Sequence, residues 1–287
     1  MTVNQSDLAY RQTGGNIPVL SVSGENLPEA WEKAVLAVWE HGTEVKTEYD
    51  KPQDPPSKDA TVIIEVKDPF GEPRIHKNFP GGPQDLEIYR QEVVNGIHDH
   101  WIDPDAGKWS YTYHARLANY NGINQIEYIV NKLANTYYSR RCQAITWMPK
   151  LDPSSDDPPC LQRIWLRVLQ GENGKLTLNM NTHWRSRDLY KAWFMNAYAI
   201  TDLQRIIAEM ISDKMEREVQ IGRYVDISDS LHIYGSYFED VTKEIEKMKR
   251  TSYKERAWNS QEPVIAQMVD ETKARLRKNP DFMMSPQ

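Results

Sequence analysis

The chain has 287 residues and a mass of 33.4 kDa, enough to bury a sizeable core as one large domain or two small ones. Its net charge of −6 argues against broad nucleic-acid binding, and its two cysteines exclude a disulfide framework or a thiolate metal site. No apolar run reaches membrane-spanning length, and no signal peptide is recognisable. We expect a cytoplasmic protein with neither a membrane nor a nucleic acid as obligate partner, since free thiols suit a reducing compartment.

The first half of the chain alternates predicted strands and helices. Its first 15 or so residues are polar, with Gly14-Gly15 as a hinge, and we expect them to be flexible. A helix begins with Asn26 as its N-cap and ends before Gly42. The predicted elements, in chain order, are a strand at 17–22, this first helix, a strand at 61–66, and helices at 85–94 and 124–135, followed by a strand at 141–148.

The second half begins with a proline- and acid-rich loop at 151–159 that leads into a β-hairpin. A long helix at 193–211 follows, with Ile200, Leu203, Ile207 and Met210 predicted to face inward. A strand is predicted at 219–227. The segment from about residue 239 onward is mostly charged and helical, and we predict that it is a C-terminal extension of a single domain spanning 1–287.

The hairpin brings a cysteine and an arginine together. Its first arm begins at Cys160 and its second arm ends near Arg185, with the turn at Gly171–Gly174. Cys160 lies eleven positions before Gly171, and Arg185 lies eleven positions after Gly174. Antiparallel pairing about this turn therefore places the thiol beside the guanidinium. A lone cysteine in that position is typical of a nucleophile that faces an anionic substrate.

Several short motifs around this hairpin resemble those of thymidylate synthases and of the related pyrimidine hydroxymethylases. The resemblance covers roughly residues 85–240 and is most specific between Cys160 and Tyr234. The segment Tyr111–Arg116 resembles the archaeal and viral branches more than the common bacterial form. The motifs, in the family's order and approximate spacing, are Ser139-Arg140-Arg141, Pro158-Pro159-Cys160, Arg185-Ser186-Arg187-Asp188, Asn196 and His232-Ile233-Tyr234.

The resemblance implies an α+β fold, with helices on the outer side of a mixed sheet that forms the interface of a homodimer. It also implies the chemistry. Cys160, as a thiolate, would add to C6 of a pyrimidine nucleotide and activate C5 toward the one-carbon unit of 5,10-methylenetetrahydrofolate or a related reduced pterin. The thiol then needs a lowered pKa, for which Arg185 is the expected cation.

Phosphate binding needs forked donors, because a nucleoside monophosphate carries close to two negative charges. Arg185 and Ser186 would supply one side of that site. Arg140 and Arg141 would supply the other, which the resemblance implies comes from the second subunit.

The base and the sugar are assigned to four further residues by the resemblance. Asn196 would donate to O4 and accept from N3–H, a pattern that favours dUMP over dCMP. His232 and Tyr234 match the pair that holds the 3′-hydroxyl. Asp188 matches a carboxylate near the folate and the base, although an N-cap for the following helix explains it equally well.

Proton transfer requires a carboxylate and, in this family, a tyrosine. The carboxylate lies on the helix at 85–94, where Glu87 and Glu92 are the two choices and the surrounding pattern favours Glu92. Tyr111, five residues before Arg116, matches the tyrosine associated with proton removal from C5.

The chain departs from the family pattern at several places. Leu161 stands where a histidine usually follows the nucleophile, and Asp229-Ser230 replaces a Gly-Asp pair. The C-terminal segment 281–287 does not match the apolar tail that excludes water over the folate. An open site would let water capture the one-carbon unit, so a dUMP or dCMP hydroxymethylase is the alternative function. A catalytically silent nucleotide- or RNA-binding protein on the same scaffold is a second alternative.

Overall fold

One mixed β-sheet organises the chain in the computed structural model, which describes residues 15–283. The predicted flexible segment falls almost entirely on residues 1–14, which lie outside the described residues, as do 284–287 of the tail. The strands are β1 (Val19–Gly24), β2 (Thr43–Val45), β3 (Ser57–Val66), β4 (Ile75–His76), β5 (Gln143–Ile145), β6 (Leu161–Gln170), β7 (Leu176–Trp184), β8 (Arg187–Asp188), β9 (Val219–Ile233) and β10 (Ala257–Trp258).

Eight α-helices accompany the sheet within residues 15–283. They are α1 (Leu27–His41), α2 (Pro83–Asn95), α3 (Tyr113–Ala118), α4 (Gln125–Asn135), α5 (Trp193–Met215), α6 (Phe238–Arg250), α7 (Tyr253–Arg256) and α8 (Pro263–Lys278). No helix in this described stretch is both long and apolar enough to cross a membrane.

The strand order is β1-β3-β9-β7-β6-β5, with β2 added to β3 and β8 to β9. Pairs β1–β3 and β7–β9 are parallel, whereas β3–β9, β6–β7 and β5–β6 are antiparallel. Helices α1 and α5 pack against this sheet, and α2 packs on α5. A mixed sheet flanked by helices confirms the predicted α+β fold class.

The two faces of the sheet differ in burial. On β6, Ile164, Leu166 and Val168 are fully buried, whereas the residues between them are exposed or half-buried. Strand β7 alternates in the same way, from Leu176 to Trp184. This period of two is what a sheet with one face on the core requires. The other face stays partly open in the single chain.

Cys160 lies opposite Arg185 as predicted, but the register along most of the hairpin differs by one residue from the predicted one. Gln170 pairs with Leu176 rather than with Lys175, and a β-bulge between Leu161 and Arg163 restores the predicted alignment at the base, where Leu161 pairs with Trp184. The first helix is also as predicted, with the Asn26 side chain accepting a hydrogen bond from the Glu29 backbone N–H at 3.2 Å.

Two expectations about the extent of strands and one about a buried side chain were wrong. The strand predicted at 141–148 covers only β5, and the strand predicted at 219–227 is a single strand, β9, that continues to Ile233. Met210 is 41% exposed rather than inward-facing, because Ile207, Ala208 and Ile211 form the buried face of this part of α5 and Met210 lies on its outer face with Glu209. The charged segment beyond 239 is helical as α6, α7 and α8, interrupted by the short strand β10.

Candidate active site

A cavity of about 740 Å³ opens where the hairpin, β9 and α5 meet, and we call it the first cavity. It brings together eight of the eleven residues singled out from the sequence. These eight are Tyr111, Cys160, Arg185, Ser186, Asp188, Asn196, His232 and Tyr234. Most of these eight groups come from strand ends and from the first turn of a helix, where backbone geometry fixes their positions, whereas Tyr111 lies in a loop.

Cys160 and Arg185 face each other across the base of the hairpin. The backbone N–H of Arg185 donates to the Cys160 carbonyl oxygen at 2.9 Å. The Arg185 guanidinium also donates to two carbonyl oxygens of the preceding loop, to Pro159 from Nε at 3.0 Å and to Pro158 from Nη2 at 2.5 Å. The arginine therefore holds the loop that carries the cysteine, in addition to supplying positive charge.

The acidity of Cys160 differs from the expectation. Burial raises the pKa of the Cys160 thiol above its ordinary value. Arg185 and Arg187 act in the opposite direction, and Asp157 adds to the increase. Arg185 therefore acts on this pKa in the predicted direction, but the predicted net lowering was wrong, because the loss of hydration at the sulfur outweighs the attraction of the guanidinium.

The side chain of Asn196 is held from two sides. Its Oδ1 accepts from Nε of Arg187 at 3.1 Å, and its Nδ2 donates to the Tyr89 hydroxyl at 2.6 Å. Asn196 is 9% exposed and lines the first cavity. An amide offers two N–H donors and two acceptor lone pairs, so one donor and one acceptor remain for a ligand.

Asp188 shapes the turn before α5. Its Oδ1 accepts from the backbone N–H groups of Tyr190 and Lys191, at 2.9 and 3.0 Å. Helix α5 begins at Trp193 with Ala192 as its N-cap, so Asp188 caps this turn rather than the helix itself. Burial raises the pKa of Asp188, while the two backbone hydrogen bonds act against the increase.

His232 and Tyr234 lie at the end of β9, with ring centroids 4.6 Å apart. Burial lowers the pKa of His232 to about 4, so its imidazole is neutral at pH 7. Its Nε2 is buried and has no hydrogen-bond partner within the described part of the chain. A neutral imidazole nitrogen without a partner can form a hydrogen bond with a hydroxyl group, as donor or as acceptor depending on the tautomer.

A second cavity, of about 640 Å³, adjoins the first one. Tyr89, Tyr111, Tyr113 and Asp157 line both cavities, and Glu92 lines only the second. The two cavities therefore share a wall.

The two candidate glutamates differ in their surroundings. A carboxylate oxygen of Glu92 lies 2.8 Å from Nδ1 of His98, and burial raises the pKa of this carboxyl although His98 opposes the increase. Glu87 lines neither cavity and is 2% exposed, with its carboxylate bound by the Arg90 guanidinium at 2.7 and 2.8 Å. The geometry therefore favours Glu92 over Glu87.

Arg140 and Arg141 lie apart from both cavities. They are exposed and line a separate depression of about 590 Å³ together with Lys132 and Tyr138. Within a single chain, the structure does not bring these two arginines to Cys160. They can reach a first cavity only if that cavity belongs to another copy.

A sequence model of the family described as "Thymidylate synthase" matches residues 81–271 of the chain. This stretch contains every residue singled out above. The chain belongs to the thymidylate synthase family.

Individual proteins agree with this assignment. A Methanopyrus kandleri protein described as "Putative thymidylate synthase" is 30% identical over 195 residues, which cover 66% of this chain and 84% of the relative. A Methanococcoides burtonii protein with the same description is 25% identical over 223 residues, 77% of this chain and 93% of the relative. Thermostable thymidylate synthase A from Bacillus subtilis shares the fold, with a TM-score of 0.54 and 18% identity over 77% of this chain and 84% of that one.

Membership confirms the predicted family and makes the chain an enzyme that transfers one-carbon groups. Thymidylate synthases bind nucleotide and folate substrates, generally use methylenetetrahydrofolate, and are generally dimeric.

Several cavity residues were not found from the sequence. Arg187 was read only as part of a motif, yet it is 3% exposed, forms an ion pair with Asp226 and contacts Asn196. Tyr89 lies three positions before Glu92, one helical turn away, and this spacing could have identified it. Tyr49, Tyr113 and Asp157 come from three separate loops or short helices, and nothing in their local sequence signals a common cavity.

Proposed function

We propose that the chain is a thymidylate synthase, which converts dUMP to dTMP with 5,10-methylenetetrahydrofolate as the one-carbon donor. The observation that carries the proposal is the position of Cys160, which lines the first cavity opposite Arg185 and in the same cavity as Asn196. A pyrimidine ring seated on Asn196 would have its phosphate on the arginine side and its C6 toward the sulfur.

Cys160 is the proposed nucleophile. C5 of a pyrimidine reacts with an electrophile only after a nucleophile has added to C6, and a thiolate is the strongest nucleophile among protein side chains near neutral pH. Because burial raises the pKa of the free thiol, ionisation would be coupled to substrate binding. Arg185 could bind the substrate phosphate and still donate its hydrogen bonds to the backbone carbonyl oxygens of Pro158 and Pro159, next to Cys160.

The phosphate site combines two chains in this proposal. Arg185 and Ser186 line the first cavity, and Arg140 and Arg141 would complete the site from the partner subunit. The open face of the sheet would form the dimer interface. The exposed position of Arg140 and Arg141, outside the first cavity of their own chain, supports this arrangement.

The sugar and the base are assigned to other groups that line the same cavity. His232 and Tyr234 are the proposed partners of the 3′-hydroxyl, supported by the unpartnered, neutral His232 ring. Asn196 is the proposed reader of uracil through its remaining amide hydrogen and lone pair. Asp188 would lie near the base and the folate.

Glu92 and Tyr111 are the proposed proton-transfer groups. The pKa of Glu92 is raised by burial, so this carboxyl can be protonated closer to neutral pH and can both donate and accept a proton. Tyr111 lines both the first cavity, which contains Cys160, and the second cavity, which contains Glu92. Its pKa is also raised, chiefly by burial, so it would act as a hydrogen-bond donor that keeps its proton in the ground state.

The second cavity fits a reduced folate. It shares a wall with the first cavity, and its lining contains the aromatic rings of Trp109, Tyr111 and Tyr113, which suit a flat heterocycle. When bound, methylenetetrahydrofolate supplies the one-carbon unit and the hydride. Glu92, at the wall of this cavity, would exchange protons with the nucleotide through ordered water.

A deoxyuridylate or deoxycytidylate hydroxymethylase is the second candidate, because the tail departs from the family pattern. The residue before this tail, Pro280, lies near Glu92, since its carbonyl oxygen is 3.2 Å from Nε2 of His98, whose Nδ1 contacts Glu92. If the tail excludes water, the one-carbon unit accepts a hydride and becomes a methyl group. If it does not, water adds and the product carries a hydroxymethyl group.

Identification of the product formed from dUMP tests the proposal. Thymidylate with dihydrofolate supports the synthase, whereas hydroxymethyl-dUMP with tetrahydrofolate supports the hydroxymethylase. No turnover of dUMP or dCMP, in the presence of the folate and of a folded dimer, would contradict both.

A further inference from the structure

The orientation of the Asn196 amide is dictated by Arg187. Nε of Arg187 lies 3.1 Å from one atom of the amide, and a guanidinium has donors only. That atom must therefore be the oxygen, which places Nδ2 on the side of Tyr89. The Tyr89 hydroxyl can donate or accept, so it accommodates either orientation, whereas Arg187 accepts only one.

Arg187 is fixed by the core rather than by a ligand. Its guanidinium forms an ion pair with Asp226, which is fully buried and also accepts from the hydroxyls of Tyr224 and Ser228, both at 2.8 Å. The guanidinium carbon lies 3.7 Å from the ring centroid of Trp184. With an ion pair on one side and an aromatic ring on its face, the arginine is already in place before any nucleotide binds.

An asparagine amide that rotates freely could pair with either pyrimidine. Uracil presents an acceptor at O4 and a donor at N3, and cytosine presents a donor at N4 and an acceptor at N3. Rotation of the amide by 180° exchanges Oδ1 and Nδ2 and converts one pattern into the other. In this chain that rotation would turn Nδ2–H₂ toward a guanidinium, which has no acceptor, and would break a charge-assisted hydrogen bond.

We propose that Arg187 is a positioning residue that locks Asn196 in the orientation that accepts uracil and rejects cytosine. This inference rests on the proposed function, since it assumes that Asn196 contacts the base. It assigns the choice between a uracil and a cytosine nucleotide to the pair formed by Arg187 and Asn196, held by Asp226, rather than to Asn196 alone.

Equilibrium binding of dUMP and of dCMP, measured by titration calorimetry on the full-length protein, tests the lock. The quantity of interest is the ratio of the two dissociation constants. Arg187→Lys keeps a cation beside Asp226 but lacks the fork that serves two partners. Arg187→Met combined with Asp226→Asn removes both charges and leaves no unpaired carboxylate in the core. In each variant the preference for dUMP is expected to fall by roughly 10- to 100-fold, the weight of one charge-assisted hydrogen bond.

Two controls separate the lock from structural damage. Tyr89→Phe removes a contact that does not select the orientation of the Asn196 amide. It is therefore expected to weaken the binding of dUMP and of dCMP by the same factor and to keep the ratio of their dissociation constants. Arg205→Lys is also an arginine-to-lysine substitution, but Arg205 lies on α5 and pairs with Asp202 away from the cavity. It is expected to leave the dissociation constants of both nucleotides unchanged. General structural damage from an Arg187 substitution would likewise weaken the binding of both nucleotides equally, so it would not lower the preference for dUMP.

Each result has a defined reading. An unchanged ratio in the folded Arg187 variants overturns the lock while the proposed function stands. A wild-type protein that binds dCMP as tightly as dUMP overturns it without any variant. A wild-type protein that binds neither nucleotide removes the proposed function, and the lock with it.

Discussion

The two adjoining cavities are built from different parts of the fold. The first cavity takes the groups around Cys160 and Asn196 from strand ends and from α5, with loops only along part of its wall, and its arginines are tied to buried or backbone partners. The second takes most of its lining from the segments 104–113 and 154–157, which lie largely in loops and short helices. Regular elements hold side chains more precisely than loops do, and loops rearrange more readily on binding.

This difference suits two kinds of ligand. A cavity whose donors are preset can discriminate between similar bases, since a misplaced partner leaves a buried group unpaired. A cavity lined by loops can close after its ligand enters. The first cavity is therefore the place where single substitutions should have large and specific effects, and the second should respond more gradually.

Cys160→Ala is expected to have the largest effect, because it removes the only nucleophile proposed in the first cavity. We expect activity to fall by at least about 10³-fold, measured as product formed from dUMP. Cys142→Ala is the matched control, since Cys142 is fully buried in the core and lines neither cavity. Activity that survives Cys160→Ala, or that is lost equally in Cys142→Ala, would contradict the assignment.

Glu92→Gln extends the comparison to the second cavity. The amide keeps the size of the side chain but cannot shuttle a proton, so kcat is expected to fall by about 10²- to 10³-fold with little change in dUMP affinity. Glu87→Gln, on the same helix, should lower stability by breaking the pair with Arg90 and leave the chemical step intact. A Glu92→Gln enzyme with wild-type kcat would remove this residue from catalysis.

Subunit hybrids test whether the first cavity is completed by a partner. Substitution of both Arg140 and Arg141 by Met is expected to weaken dUMP binding about 10- to 100-fold. In hybrids formed with the Cys160→Ala protein, one site of each dimer would combine an intact thiol with intact arginines. At a low dUMP concentration, at which the arginine variant has little activity, equal mixing of the two parents should then restore about a quarter of wild-type activity. Mixtures that stay inactive although hybrids form would contradict the shared site.

Asp157→Asn probes the smallest effect, at the wall shared by the cavities. The carboxylate of Asp157 raises the pKa of Cys160, although less than burial does, so its removal should lower that pKa. Alkylation of the thiol near pH 7.5 should then be about 2-fold faster, a modest change because Asp157 is exposed and screened. Slower alkylation, or a pH profile shifted upward, would show that the sign is wrong.

The pairing at the active-site hairpin could be predicted because it depends on local signals. The turn at Gly171–Gly174 gives a register within one residue of the observed one, and a β-bulge after Leu161, which the sequence did not predict, brings Cys160 opposite Arg185. Cys160 and Arg185 were therefore placed together from the sequence, whereas the other predicted residues of the first cavity were found from the resemblance to the family motifs.

Features that depend on tertiary contacts were not predictable. Arg187 looks like a second surface cation in its motif, and its role depends on Asp226, a residue 39 positions away on β9. The raised pKa of Cys160 depends on how much water the folded loop excludes, which no local pattern reports. The full length of β9 was missed because the polar residues between Asp226 and Ser230 interrupt its apolar alternation, whereas the core carries the strand through.

A covalent complex is the most direct test of the central claim. Incubation with 5-fluoro-dUMP and methylenetetrahydrofolate should trap the adduct, because a fluorine at C5 cannot leave as a proton does. Intact-mass analysis is predicted to show one nucleotide and one folate bound per chain, attached at Cys160 on peptide mapping and absent from the Cys160→Ala protein. No adduct in the folded wild-type protein, or an adduct that persists in Cys160→Ala, would contradict the account.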